Sequence, residues 1–423
     1  GWTSDQMVVI PEERDGIFRD QDGNELTAQK GQGGTYVEVK AVPAMGMKLV
    51  TFEEGAGGVP VSETDSPFHV DGRQIETPFY QIALNQYGQI TRLYDKTYRR
   101  EVVPAGERAN VLQVFEDKPL DFEAWDIDIF YQEKMREITD LTAFQVTETG
   151  PVCMKVHMEW NFAPYQRAAG DHGTDACSKI SQDMILYSND RRIDFGTEVE
   201  LHDQHQLLKA AFPVDVRSTY GTYDVQYGNV RRPNHWNTSW DQAKFETVAH
   251  RWADLSERNY GVSILNDCKY GHDIKDNVLR ISLLRAGTHP DHLQDQGTHT
   301  FTYALLPHKG DFVEGMVVQE AFALNEPMQA VKGKSVLPYD SFIAFSNAQI
   351  ELDAVKKSED GNYIVIRFHE FAGARQEVTV KPGFACQEWA ECDLRERPVT
   401  EFTQDEISMS LHAYEIKTIL MKV

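Results

Sequence analysis

Phe79-Tyr-Gln-Ile-Ala-Leu84, Asn85-Gln-Tyr-Gly88, Gln89-Ile-Thr-Arg-Leu93 is the stretch that decides the fold class. Two runs of apolar and β-favouring residues flank a short polar turn, and Gly88 can supply the positive φ that the turn needs, so the pattern predicts a β-hairpin. Asp95-Lys-Thr97 then turns the chain again. Further strands are predicted at close spacing over 111–115, 144–149, 152–162, 179–186, 192–201, 206–213, 261–266, 278–284 and 298–306. Many strands, short turns and few helical stretches predict an all-β chain built on a large antiparallel sandwich. Residues 246–255 fit two periods: Phe245, Val248, Trp252 and Leu255 would line a helix face, whereas Val248, His250 and Trp252 also alternate as in a strand. A strand is expected there because the neighbours are strands.

Working outward, residues 1–76 read as a small β lead-in domain with strands over 6–10, 35–42 and 47–52, separated by turn chemistry at 19–25 and 31–34. A glycine-rich linker is predicted from Glu53 to Pro60. Residues 77–310 form the large sandwich. Residues 311–423 form a C-terminal small β-sandwich, opening with a helix or extended crossover over 311–325. Its strand over 363–371 alternates, with Ile364, Ile366, Phe368 and Glu370 on one face and Tyr363, Val365, Arg367 and His369 on the other, which predicts a half-buried sheet.

Composition narrows the function. The 423 residues carry 42 Lys and Arg against 66 Asp and Glu, a net charge of −24, so the surface field repels phosphate backbones and anionic lipid. Neither nucleic acid nor membrane is an expected partner, and no run of about 18 apolar residues occurs. Five cysteines without a C-x-x-C spacing favour neither a disulfide framework nor a zinc site, and a reducing cytoplasm is expected. The opening Gly1, with no initiator Met and no signal segment, suggests a chain cut from a longer protein.

The best candidate for a binding cleft is Asp117-Lys-Pro-Leu-Asp-Phe-Glu-Ala-Trp-Asp-Ile-Asp-Ile-Phe-Tyr131, directly after a predicted strand. Aromatic faces and carboxylate acceptors together suit a sugar, whose C–H faces are apolar and whose hydroxyls donate. On residue chemistry alone a solvated acidic loop with Trp125 as a core anchor explains the same stretch. Histidines gather at His202 and His205, at His289, His292, His299 and His308, and at His235, His250 and His272. Residues at i and i+3 of a strand point to opposite faces, so His202 and His205 do not form a ligand pair, and a loop of solvated histidines is expected over 288–299. Cys268 lies beside Lys269 and near His272, and a structural thiol is the expectation. No protease, serine-hydrolase, P-loop or dinucleotide motif occurs.

Ordered segments resemble the C-terminal half of glycoside hydrolase family 38 α-mannosidases, the cytosolic and bacterial branch in particular. They are Leu93-Tyr-Asp-Lys96, Arg100-Glu-Val-Val-Pro104, Ala124-Trp-Asp126, Arg232-Pro-Asn-His-Trp-Asn-Thr-Ser-Trp-Asp241, Ala249-His-Arg-Trp-Ala-Asp-Leu-Ser256, Tyr260-Gly261 and Asn266-Asp-Cys-Lys-Tyr-Gly-His272. Leu283-Leu-Arg285, Pro290-Asp291, Asp295-Gln-Gly-Thr-His299 and Phe301-Thr-Tyr-Ala-Leu-Leu-Pro-His308 continue the order. The resemblance implies a retaining exo-acting α-mannosidase in which an N-terminal α/β barrel carries zinc, a carboxylate nucleophile and an acid/base, and a supersandwich like that of galactose mutarotases follows. This chain shows no βα alternation and no matching zinc segment, so no catalytic or metal-ligating residue is assigned, and the polypeptide alone is expected to be inactive. Implied partners are α-mannosides and the protein's own barrel, with a homo-oligomer left open. Implied substrate-binding residues are Trp125, Asp126, Tyr270, Asp295 and His299. A free-standing mutarotase-like or carbohydrate-binding sandwich is the alternative. It would need a His and a Glu converging on one sheet, for which His157, Glu159, Glu198, Glu200 and His202 are available.

Overall fold

The computed structural model describes residues 1–55, 66–162, 177–334 and 340–423, and part of the predicted linker at 53–60 lies outside them. The chain divides into two compact units: residues 1–59, 225–230 and 327–423 form one, and residues 60–224 and 231–326 the other. Of the expected lead-in, residues 1–59 lie in the first unit and 60–76 in the second; of the segment from 311, residues 311–326 lie in the second unit and 327–423 in the first.

The second unit is a sandwich of antiparallel sheets, as the hairpin predicts. Tyr80–Leu84 pairs with Ile90–Asp95 in a five-stranded sheet. Gly88 adopts φ +80°, and a Cβ there would lie 2.7 Å from Trp160 Cζ2, so the turn requires glycine for its backbone and for space. The Trp160 indole N–H donates to the Tyr87 carbonyl at 2.8 Å and fixes the turn on the neighbouring sheet.

That neighbour is a nine-stranded sheet ordered Asp140–Thr149, Cys153–Phe162, Ser178–Tyr187, Ile193–Leu201, Gly297–Lys309, Tyr260–Asn266, Trp252–Glu257, Tyr220–Val225, Gly228–Pro233. A six-stranded sheet is ordered Met135–Glu137, Val111–Glu116, Gln206–Pro213, Val278–Arg285, Gly271–Lys275, Thr247–Val248. Phe195 and Tyr303 of the first meet Phe212 of the second, with ring centroids 5.9 and 6.1 Å from Phe212, and this aromatic contact joins the two inner faces. Buried Asn110, Gln182 and Tyr303 satisfy one another there, the amide of Asn110 donating to Gln182 at 2.8 Å and the Tyr303 hydroxyl to Asn110 at 2.7 Å.

Residues 246–255 are not one strand. Thr247–Val248 pairs with Gly271–Lys275 in the six-stranded sheet, and Trp252–Glu257 pairs with Tyr260–Asn266 in the nine-stranded one. The chain changes sheets between them because Asp224 captures the crossing: its carbonyl accepts from the His250 amide at 3.0 Å and its carboxylate from the Arg251 amide at 2.9 Å. The segment over 311–325 does contain a helix, Val317–Asn325, tied down by the Asn325 side chain donating to the Asn266 carbonyl at 2.9 Å. Phe312, just before it, stacks on Trp252 at 4.9 Å.

The first unit is also β-structured, with Gly34–Val42 central to one three-stranded sheet and Ile364–Glu370 inside a four-stranded one. Ile364–Glu370 is covered on both faces, not half-buried as its alternation predicts. Ile366 and Phe368 enter the larger core with Ile350 and Ile419, while Val365 packs with Leu420, Cys392 and Tyr363 on the other side. The ring of Phe402 stacks on Tyr363 at 5.2 Å and closes that second face, a contact between distant segments that periodicity does not reveal.

Candidate functional site

The acidic and aromatic stretch after Val111–Glu116 is an ordered surface loop, not a core element. Trp125 is 70% exposed and Phe122 55%, so the core-anchor reading of Trp125 does not hold. The loop turns at Phe122, whose φ is +56° and whose carbonyl accepts from the amides of Trp125 and Asp126 at 2.8 Å each. Asp128 closes the other side by accepting from the Leu120 amide at 3.0 Å. A 3₁₀ turn, Ile129–Glu133, then returns the chain to the sheet.

Arg285, at the end of its strand, joins this loop to the one that follows it. Its guanidinium donates to the Asp117 carboxylate and to the Asp126 carbonyl, and its backbone N–H donates to the Asp295 carboxylate at 3.0 Å. Bidentate guanidinium chemistry makes this a geometric clamp, and Asp117 is only 3% exposed. Glu123 adds a second tie, accepting from the Thr288 hydroxyl at 3.0 Å and the His289 amide at 3.1 Å. Burial pushes the Glu123 carboxyl up, but the donors of Thr288 and His289, with nearby His205, hold it below the usual carboxylate range.

Four of the five residues expected to bind substrate are thereby brought to one rim: Trp125, Asp126, Asp295 and His299. Trp125 offers an open ring, and the exposed Asp126 carboxylate has no partner among the described residues. Asp295 and His299 instead fix the loop, since one Asp295 carboxylate oxygen holds the Arg285 amide and the His299 imidazole donates to the Asp295 carbonyl at 3.0 Å. Tyr270 stands apart from the Arg285 contacts. Its ring lies 5.6 Å from that of His250 and its carbonyl accepts from Ala249.

Beneath the rim lies a buried charge array. Lys209, 0% exposed at its side chain, places Nζ 2.5 Å from the Asp273 carboxylate, in contact with Glu246, and 3.2 Å from the Tyr131 hydroxyl. The Tyr131 hydroxyl donates in turn to Glu246, and Arg280 Nε donates to Asp273 at 2.8 Å. Two cations face two carboxylates, and although burial would strip the Lys209 proton, Asp273 and Glu246 keep it bound. Lys209 was missed in the sequence, where the signal was a single charged residue in the strand Gln206-Leu-Leu-Lys-Ala-Ala-Phe-Pro213; a lysine buried in such a run needs a charged partner. The partners come from distant segments, so their identity was not legible.

Of the residues weighed for a mutarotase-like site, His157, Glu159, Glu198 and Glu200 lie on the nine-stranded sheet, and His202 directly follows its strand Ile193–Leu201. His157 Nδ1 meets Asp183 at 2.7 Å and its Nε2 meets Glu159 at 3.2 Å, while His202 Nε2 meets Glu200 at 2.9 Å. Burial lowers the His157 pKa, but Asp183 and Glu159 outweigh it and the net shift is upward. Of the histidines near the 288–299 loop, His308 is not solvated: it is buried against Asp254 at 2.9 Å. Partial burial and neighbouring Asp267 push the Cys268 thiol up to about 11, which removes the thiolate a reactive cysteine needs. Among the described residues no three His, Cys, Asp or Glu side chains are grouped to hold a metal ion.

A family model described as the glycosyl hydrolases family 38 C-terminal domain matches residues 75–293. A second, the glycosyl hydrolases family 38 C-terminal beta sandwich domain, matches residues 349–419. Alpha-mannosidase 2C1 of Homo sapiens is 36% identical over 344 residues, covering 80% of this chain and 31% of its own length. The Saccharomyces cerevisiae Alpha-mannosidase is 30% identical over 362 residues, covering 79% of this chain and 33% of its own. The chain thus spans about a third of the length of these curated relatives. The crystal structure of an alpha-mannosidase from Enterococcus faecalis superposes with a TM-score of 0.74 at 15% identity, over 100% of this chain and 55% of that one, and so shares the fold.

Proposed function

Because the chain belongs to the glycosyl hydrolases family 38 C-terminal domain family, we propose that it is the non-catalytic C-terminal β region of a retaining α-mannosidase and lends a wall to the pocket for terminal α-linked mannose. The observation that carries this is the Arg285 clamp, which fastens the loop bearing an exposed Trp125 and an unpartnered Asp126 carboxylate to the loop of Asp295. In this reading Asp126 accepts hydroxyl protons of the sugar and Trp125 packs against its apolar face. Asp295 and His299 keep the rim in place. Tyr270 would contribute only at a neighbouring surface.

The bond-breaking carboxylates belong to a barrel outside this chain, and so does the zinc, which would supply Lewis-acid orientation of the sugar there. This chain's residues bind and orient. The proposed setting is the cytoplasm, supported by five cysteines that stay free thiols.

Two measurements test the reading. The 423-residue chain, purified alone, is expected to release no aryl leaving group from an aryl α-mannoside, and turnover by it would overturn the non-catalytic assignment. In the longer enzyme, Asp126→Ala is expected to lower kcat/KM by about 10–100-fold, the worth of one or two charge-assisted hydrogen bonds, while barely moving the unfolding temperature. Wild-type activity in that variant would remove the pocket role.

A further inference from the structure

The buried charge array meets the turn that follows the loop through Tyr131, which also contacts Glu246. Tyr131 lies in the 3₁₀ turn Ile129–Glu133, immediately after the Asp117–Asp128 loop, and its ring packs edge-on to Phe115 at 5.1 Å and 6.4 Å from Phe245. Its hydroxyl is the donor to Glu246 and the acceptor from Lys209. Glu246 ends the segment that follows the short helix Ser239–Gln242, so a second surface segment is fastened at the same point. Lys209, Asp273 and Arg280 all stand on strands of the six-stranded sheet, which makes them the fixed side of the contact.

A buried array of this kind is poor at adding stability, because desolvation offsets most of the attraction. It is good at geometry, since each member has one arrangement that satisfies its partners. The Arg285 clamp secures the loop at Asp117 and Asp126, and the turn at Tyr131 sets the direction in which the chain leaves Asp126. We infer that Tyr131 and Glu246 are positioning residues, through which the Lys209–Asp273–Arg280 array sets the pose of the loop that carries Trp125 and Asp126. The functional part of this inference rests on the proposed mannoside role of that loop.

Tyr131→Phe tests it, because the ring and its packing remain while the hydroxyl is lost. By hydrogen exchange on the 423-residue chain, the Trp125 and Asp126 amides, which donate to the Phe122 carbonyl, are expected to exchange about 10-fold faster, with Gln206–Pro213 unchanged. In the longer enzyme the same variant is expected to raise KM for an aryl α-mannoside by about 3–10-fold with kcat nearly unchanged, the pattern of lost uniform binding. Glu246→Gln keeps an acceptor for the Tyr131 hydroxyl and should retain the wild-type KM, whereas Glu246→Ala should match Tyr131→Phe. Unchanged exchange at Trp125 and Asp126 overturns the inference whatever the kinetics. So does an unchanged KM for Tyr131→Phe when Asp126→Ala impairs the enzyme. If Asp126→Ala is silent as well, the mannoside reading of the loop falls, while faster exchange still supports the positioning.

Discussion

Lys209→Met is expected to destabilise the second unit by about 3–5 kcal/mol at neutral pH, the usual cost of removing one partner from a buried ion pair. Methionine matches the length of the lysine stem, so the loss is not one of packing volume. What remains is a pair of carboxylates, Asp273 and Glu246, of which Arg280 hydrogen-bonds only the first. Burial already raises the Glu246 carboxyl against the pull of Lys209. Without that cation it rises further and Glu246 takes up a proton in the folded state. Its folded pKa then stands further above the unfolded value of about 4.3 than in the wild type, so the cost of the substitution should grow as pH rises above the wild type's own folded value and level off below it. Urea midpoints measured across pH check this. The double variant Lys209→Met with Glu246→Gln should recover a large share of the loss, because glutamine is neutral without a proton and the cost of protonating Glu246 on folding disappears. Strict additivity of the two costs would show that Lys209 and Glu246 do not act as a pair.

The contrast between Lys209 and Phe79–Leu93 shows what the sequence can and cannot reveal. The hairpin is local: its period, its turn and its glycine lie within fifteen residues, and the sheet forms where the alternation places it. Strand Gln206–Pro213 was legible for the same reason, down to its bounds. The sheet switch at 249–251 was not, because the side chain that directs it, Asp224, is more than twenty residues upstream. The site divides in the same way. Trp125 and Asp126 announce themselves by residue type and by a family-like segment, and both are exposed. Arg285, which makes the loop a rim, was visible only as part of a matching segment. Its three partners, Asp117, Asp126 and Asp295, come from both sides of it in the chain, and only the fold brings them together. Tyr270 was singled out by a matching segment in the same way, and what the residue type could not reveal is that its ring lies beside that of His250 and apart from the Arg285 contacts.

The second large effect is expected from acid, through His272. This side chain is 1% exposed in Gly271–Lys275, and burial, reinforced by the positive charge of Lys209 and only partly opposed by Asp273, lowers its pKa to about 3. The folded state therefore keeps His272 neutral at a pH where the unfolded chain, with an ordinary value of about 6.5, already binds a proton. Stability from this source is complete above pH ~6.5 and drains as pH falls toward the folded value, at up to about 1.4 kcal/mol per pH unit. Between pH ~6.5 and pH ~5 the loss should reach about 2 kcal/mol. Carboxylates with lowered values, such as Glu123 and Glu137, lose their contribution mainly below that window. His157 works in the opposite sense, because its raised pKa makes its contribution full at acid pH and lost as pH rises through the folded value. His272→Leu cannot take up a proton in either state, so its stability should fall less steeply than the wild type's over the same interval, whatever the substitution costs at pH ~8. Parallel curves for the two proteins would mean that His272 binds its proton as readily folded as unfolded.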